Sequence, residues 1–219
     1  LLMENAGQAA LDVIRREAGP LQGRRVAVVA GPGNNGGDGL VVARLAHAAG
    51  ASVRVHVVGD PSAYREAAAA NREAAVRLGL LPAAPGGLDR VLEGAEVVVD
   101  ALFGTGLTRP PAGEAAEAVR AINRARERGA LVVSLDIPSG VNGDTGQAAG
   151  EAVRAHHTVT FGLPKLGNLL YPGHALGGRL WCSPISFPPA LRERPAAAEL
   201  NEPPILPERR PDGHKGLSL

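Results

Sequence analysis

Residues 24–45, RRVAVVAGPGNNGGDGLVVARL, restrict the fold of this chain more than any other stretch. A basic pair leads into an apolar run, Val26 to Ala30. A turn too rich in glycine and asparagine for regular structure follows, from Gly31 to Gly39. A second apolar stretch with helical spacing then begins at Leu40. Strand, glycine turn and helix form the opening of a nucleotide-binding βαβ unit. Backbone N–H groups left free at a helix N-terminus suit an anion such as a pyrophosphate. The turn also matches G-x-G-x-x-G literally at Gly31, Gly33 and Gly36, a weak signal by itself.

The rest of the chain repeats the same alternation. Residues 1–18 carry an apolar stripe (Leu2, Met3, Ala6, Ala9, Ala10, Val13, Ile14) and read as a helix that Gly19-Pro20 ends. Asn5 is the polar residue beside that stripe. Strands are expected at 26–30, 52–59, 96–101, 130–137 and 157–161, with a short one at 178–182. Helices are expected at about 37–49, 63–78 and 113–127. Apolar strands alternating with helices predict an α/β fold: a mostly parallel sheet covered on both faces. The loops at the strand C-terminal ends are then where a ligand binds.

Composition narrows the class. The chain has 219 residues, 45% hydrophobic but only 3% aromatic, so its core is built from Val, Leu, Ile and Ala. A net charge of +1 gives no reason to expect nucleic acid or a membrane surface. No run approaches the roughly 20 apolar residues of a membrane span. A single cysteine, Cys182, excludes an intramolecular disulfide and fits a reducing compartment, which makes the cytoplasm the expected location. The six histidines show no metal-ligand spacing. From 188 onward, Pro-rich composition marks a linker.

Four loops carry the chemistry. In the first, Asn34, Asn35 and Asp38 are odd for plain pyrophosphate binding, because an aspartate repels a phosphate. These side chains suit hydroxyls, an amide or a cation. Asp60, at the end of the second strand, holds the place of a ribose-binding acid and keeps a dehydrogenase in view. The second loop follows Asp100, a carboxylate closing a hydrophobic strand that needs a partner. Its continuation, Gly104, Thr105, Gly106, Leu107, Thr108, Arg109 and Pro110, can wrap a ligand, and Arg109 can grip phosphate. The third loop is Asp136-Ile137-Pro138-Ser139-Gly140, where Asp136 is the candidate general acid or base. The fourth presents Lys165 in a Gly/Pro turn, able to pair with Asp136 or steady developing negative charge. Asp38, Asp100 and Asp136 converging at one edge would repel unless something positive sits between them. Asn35, Asp100 and Ser139 are hard oxygen ligands, so that charge can be an alkali or alkaline-earth cation.

Taken together, Leu2–Gly7, Gly31–Gly39, Asp100–Leu107, Asp136–Gly140 and Thr160–Lys165 resemble, in order, the motifs of the YjeF N-terminal family, the NAD(P)H-hydrate epimerases. The resemblance covers about residues 1–190. It implies a three-layer αβα Rossmann-like fold, usually dimeric, and interconversion of the R and S forms of hydrated NADH and NADPH. It implies substrate contacts from Asn34, Asn35, Gly36, Gly37 and Asp38, from residues 104–110 and from Asp136. It also implies one potassium ion (K+) per subunit on Asn35, Asp100 and Ser139. Residues 206–216 resemble the entry to an ADP-dependent dehydratase domain, so 191–219 is expected to be a linker leading into that fused unit. Asp136 is then expected to assist loss of the C6 hydroxyl, with Lys165 orienting or protonating the departing oxygen. Ring opening and reclosure is equally compatible. The rival readings are an NAD(P)-dependent dehydrogenase and a non-catalytic scaffold on the same fold.

Overall fold

The computed structural model describes residues 1–81, 87–188 and 190. Its strands are β1 (Arg25–Ala30), β2 (Ser52–Val57), β3 (Val97–Ala101), β4 (Leu131–Leu135), β5 (His157–Phe161) and β6 (Arg179–Ser183). They form one sheet in the order β2-β1-β3-β4-β5-β6, and every pairing is parallel. Seven α-helices occur among the described residues, and every crossover between parallel neighbours except that from β4 to β5 passes through one or more of them. These are α1 (Leu2–Ala18), α2 (Asn34–Ala48), α3 (Glu66–Arg77), α4 (Gly87–Leu92), α5 (Glu114–Glu127), α6 (Leu166–Leu169) and α7 (Gly173–Gly177).

Alternation along each strand divides the core in two. Val26 and Val28 of β1 join Leu11, Ile14, Leu40 and Val42 under α1 and α2. Ala27 and Val29 join Val98, Val132, Val119 and Ile122 on the α5 side. The result is the parallel sheet covered by helices that the strand and helix pattern implied, in the three-layer αβα arrangement that the family resemblance implied. No helix among the described residues is long and apolar enough to cross a membrane.

The chain leaves β1 towards β2 on one side and returns to β3 on the other. The direction of winding therefore reverses between β1 and β3, the switch point where such sheets open a crevice. The turn after β1 and the loop after β3 flank it.

Several boundaries differ from the sequence reading, each for a local reason. Helix α2 begins at Asn34, so Asn34 to Asp38 form its first turn and are not a free loop. The third helix starts at Glu66 because Asp60 caps a separate 3-10 turn at Pro61–Ala63. Strand β4 stops at Leu135 because Asp136 takes a left-handed backbone with φ 66°. The short helices α4, α6 and α7 were not anticipated, being too brief to show a period. The expected linker and dehydratase entry at 191–219 lie outside the described residues.

Candidate active site

A cleft of about 1010 Å³ opens at the strand C-terminal edge. Asn34, Asn35 and Asp38 line one side, the loop from Phe103 to Leu107 another, and Asp136 and Lys165 the floor. Met3 of α1 and Ile185 and Phe187 beyond β6 close the remaining wall.

The first turn of α2 is fixed by close packing. A Cβ on Gly36 would lie 1.8 Å from the Gly31 carbonyl oxygen, and one on Gly31 would lie 2.0 Å from the Leu102 carbonyl oxygen. Nothing approaches a Cβ on Gly33 within 4 Å. The glycines at 31 and 36 thus let three backbone segments meet. Asn35 is driven inward by this packing and is 9% exposed. Neither its amide nitrogen nor its amide oxygen has a partner among the described residues. An unsatisfied buried amide costs about 1–3 kcal/mol per group, so the site is built to receive something.

Asp100 is fully buried. Its register neighbour Ser134 donates to Oδ2 at 2.7 Å. Ser139 donates twice, from Oγ to Oδ1 at 2.6 Å and from its backbone N–H to Oδ2 at 2.9 Å, and the Leu102 N–H adds a longer contact at 3.3 Å. Burial pushes the Asp100 carboxyl up, while the Ser139, Ser134 and Leu102 donors pull it back. Ser139 Oγ also accepts from the Phe103 N–H at 3.0 Å, so Asp100 organises the loop that walls the cleft.

Asp136 and Lys165 form an ion pair through Oδ1. Lys165 Nζ also donates to Thr160 Oγ1 at 3.0 Å and to the Phe161 carbonyl at 2.8 Å, so its three protons are all committed. Thr160 in turn donates to Asp136 Oδ1 at 3.3 Å. The other carboxylate oxygen, Oδ2, faces Gly104, where a Cβ would come within 3.3 Å of it and within 3.5 Å of Asn35. Asp136 sits at the centre of a tight turn closed by the Ile137 N–H on the Leu135 carbonyl at 2.8 Å. Positive φ at a non-glycine residue costs of order 1 kcal/mol or more and is characteristic of functional positions.

Asp38 lines the cleft with Asp136, whereas Asp100 lies outside its lining. Burial, then the neighbouring Asp136 charge, raise the pKa of Asp38 from 3.8 to about 8 against the pull of Lys165. It therefore holds a proton at neutral pH. The expected positive charge among the carboxylates is supplied at least in part by Lys165.

Other expected residues fall elsewhere. Gly36 and Gly37 are buried behind the cleft wall, and Thr108, Arg109 and Pro110 are exposed beyond it. Asp60 accepts from the Ser62 N–H at 2.8 Å and the Ser62 hydroxyl at 2.6 Å, as the cap of a turn outside the cleft lining. Asn5 donates to Ser186 Oγ at 2.7 Å and ties α1 to the segment after β6. Thr160 entered the sequence reading only as the first residue of a motif, and Ser134 and Asn168 not at all. A hydroxyl in the middle of an apolar strand was the available signal for the first two.

Comparison with known proteins adds to this geometry. A family profile described as "YjeF-related protein N-terminus" matches residues 1–167. A Thermofilum pendens protein named bifunctional NAD(P)H-hydrate repair enzyme Nnr is 51% identical over 224 residues. The alignment takes in 99% of this chain but 41% of that protein, so the chain spans about two fifths of its length. A Limosilactobacillus reuteri protein named NAD(P)H-hydrate epimerase is 44% identical over 168 residues, 76% of each chain. The crystal structure of yeast YNL200c superposes with a TM-score of 0.65 at 26% identity, over 77% of this chain and 72% of that one.

Proposed function

The chain belongs to the YjeF N-terminal family, and from that premise we propose that it is an isomerase that interconverts the R and S forms of hydrated NADH and NADPH. The observation that carries the reading is one cleft lined by Asp38, Asp136 and Lys165, with Asp136 held by Lys165.

The hydrate carries a hydroxyl at C6 of the reduced nicotinamide ring, beside the ring nitrogen. Loss of that hydroxyl needs a proton on the departing oxygen. The nitrogen lone pair then forms the C=N bond of an iminium, and water returns to C6 on the opposite face, giving up a proton to a base. Ring opening instead starts by removing the hydroxyl proton. A carboxyl that keeps its proton and a carboxylate that does not serve either route. Asp38 is suited to give the proton and Asp136 Oδ2 to take one. Lys165, its protons spent on Asp136, Thr160 and Phe161, orients Asp136. The expectation from the sequence was that Lys165 orients or protonates the departing oxygen; the part proposed here is indirect, through Asp136.

The donor set fits potassium. The orphaned Asn35 amide oxygen, the Asp100 carboxylate and the Ser139 hydroxyl are hard oxygen ligands, and no cluster of His, Cys, Asp or Glu suited to a transition metal occurs among the described residues. Bound there, the ion supplies positive charge that steadies the first turn of α2 against the loop after β3. A homodimer in a reducing, cytoplasmic compartment completes the proposal, with a second repair activity in the fused unit expected beyond residues 206–216. Incubation of purified protein with R-hydrate, followed by chromatography of the epimers, tests the catalytic claim.

A further inference from the structure

Asp136 and Lys165 follow different strands, β4 and β5, and the side chain of Asn168, outside the cleft lining, binds the backbone of both. Asn168, on α6, is 4% exposed. Its Nδ2 donates to the Asp136 backbone carbonyl at 3.2 Å. Its Oδ1 accepts from the Lys165 backbone N–H at 2.9 Å. The second contact is the reach-back of a helix third residue to its cap, as in a capping box. The first is a long-range contact that such a cap does not require.

We infer that Asn168 is a positioning residue that sets the distance between Asp136 and Lys165 by gripping the backbone of each. The inference rests on the proposed role of Asp136. The geometry explains why the residue is an amide. Asp136 stands in a left-handed conformation that few non-glycine residues adopt, aspartate more readily than most. On one side its N–H is held by the Val159 carbonyl at 2.7 Å, as an extension of the β4–β5 ladder. On the other its carbonyl has Asn168. Holding both ends of the residue keeps the turn from relaxing and keeps Oδ1 on Lys165. The asparagine amide offers a donor and an acceptor on one rigid plane and so bridges a carbonyl and an N–H. Aspartate offers acceptors alone, leucine offers neither, and glutamine extends a methylene too far.

The chain contains two lysines, Lys165 and Lys215. Selective ¹³C labelling of lysine therefore gives two side-chain signals, with Lys215 as the internal reference. Asn168→Asp and Asn168→Leu are compared with the unchanged chain in this spectrum and in the epimerisation assay. Expected is a displacement of the Lys165 signal from its position in the unchanged chain, together with a kcat at least tenfold lower and a KM within twofold. Asn168→Asp, which keeps the bond to the Lys165 N–H, should melt closer to the unchanged chain than Asn168→Leu while losing as much kcat. The inference is overturned if kcat stays within twofold in a folded variant, if the Lys165 signal does not move, or if neither variant folds. Should the unchanged chain fail to epimerise the hydrate, the functional proposal falls. The Lys165 signal then still decides whether Asn168 holds the pair.

Discussion

Lys165 spends all three ammonium protons on acceptors within its own chain, and Asp136 Oδ1 receives one of them, which leaves Oδ2 as the free oxygen facing Gly104. The pair therefore acts as a unit. Asp136→Asn and Lys165→Met should each lower kcat by about 100-fold or more, the range of a positioned general base. The double variant should lose little beyond the worse single, because each change disables the same group. Full additivity in steady-state kinetics would show that Lys165 acts on the substrate independently.

Gly104 separates Asn35 from Asp136 Oδ2, and its backbone does not require glycine. A Cβ there meets both side chains at 3.3–3.5 Å. Gly104→Ala should leave the melting temperature within a few degrees while kcat/KM falls about tenfold or more, as expected when reacting groups are displaced by a fraction of an ångström.

The Asp38 carboxyl, with a pKa near 8, gives stability and activity a shared pH dependence. Between the unfolded value of about 4 and the folded value near 8, the folded chain holds one proton more than the unfolded chain. Stability from this group is therefore full in acid and lost as pH rises through that window. Asp38→Asn, neutral at every pH, should melt higher than the unchanged chain at pH 8 by at least about 1 kcal/mol, or roughly 2–4 °C at this size. The gap should close towards pH 4 in differential scanning calorimetry. Activity of the unchanged chain should decline as pH passes 8, where Asp38 loses the proton it donates.

Potassium held on Asn35 should raise the melting temperature relative to an equal ionic strength of sodium or choline. At a hundred times its dissociation constant the gain is about 2.7 kcal/mol, or roughly 5–10 °C. Asn35→Ala should abolish the difference between the salts and lower activity. An unchanged potassium response in Asn35→Ala would remove Asn35 from the ion site.

The sheet was readable because Val-rich runs buried on both faces alternate with helical stripes, and the four loops fell at strand ends as that pattern requires. The glycine signature was readable as a position but not as a cause. Gly31 and Gly36 are close-packing glycines, whereas Gly33 faces open space, and no periodicity distinguishes them. The ion pair of Asp136 with Lys165 was anticipated from two charged residues in constrained turns. Its support was not, because Thr160 and Asn168 act through contacts made only when β4, β5 and α6 are assembled. Asp60 misled because strand-end acids also cap turns, and Ser62 two residues on made that local bond available.

The interconversion itself is the most direct test. Pure R-hydrate of NADH, incubated with the protein in potassium buffer and resolved by chromatography, should yield S-hydrate until the two forms reach equilibrium, and Asp136→Asn should leave the R form in place over the same period. R-hydrate that persists unchanged with folded, potassium-supplied protein, or an Asp136→Asn variant that converts it at the normal rate, would contradict the account.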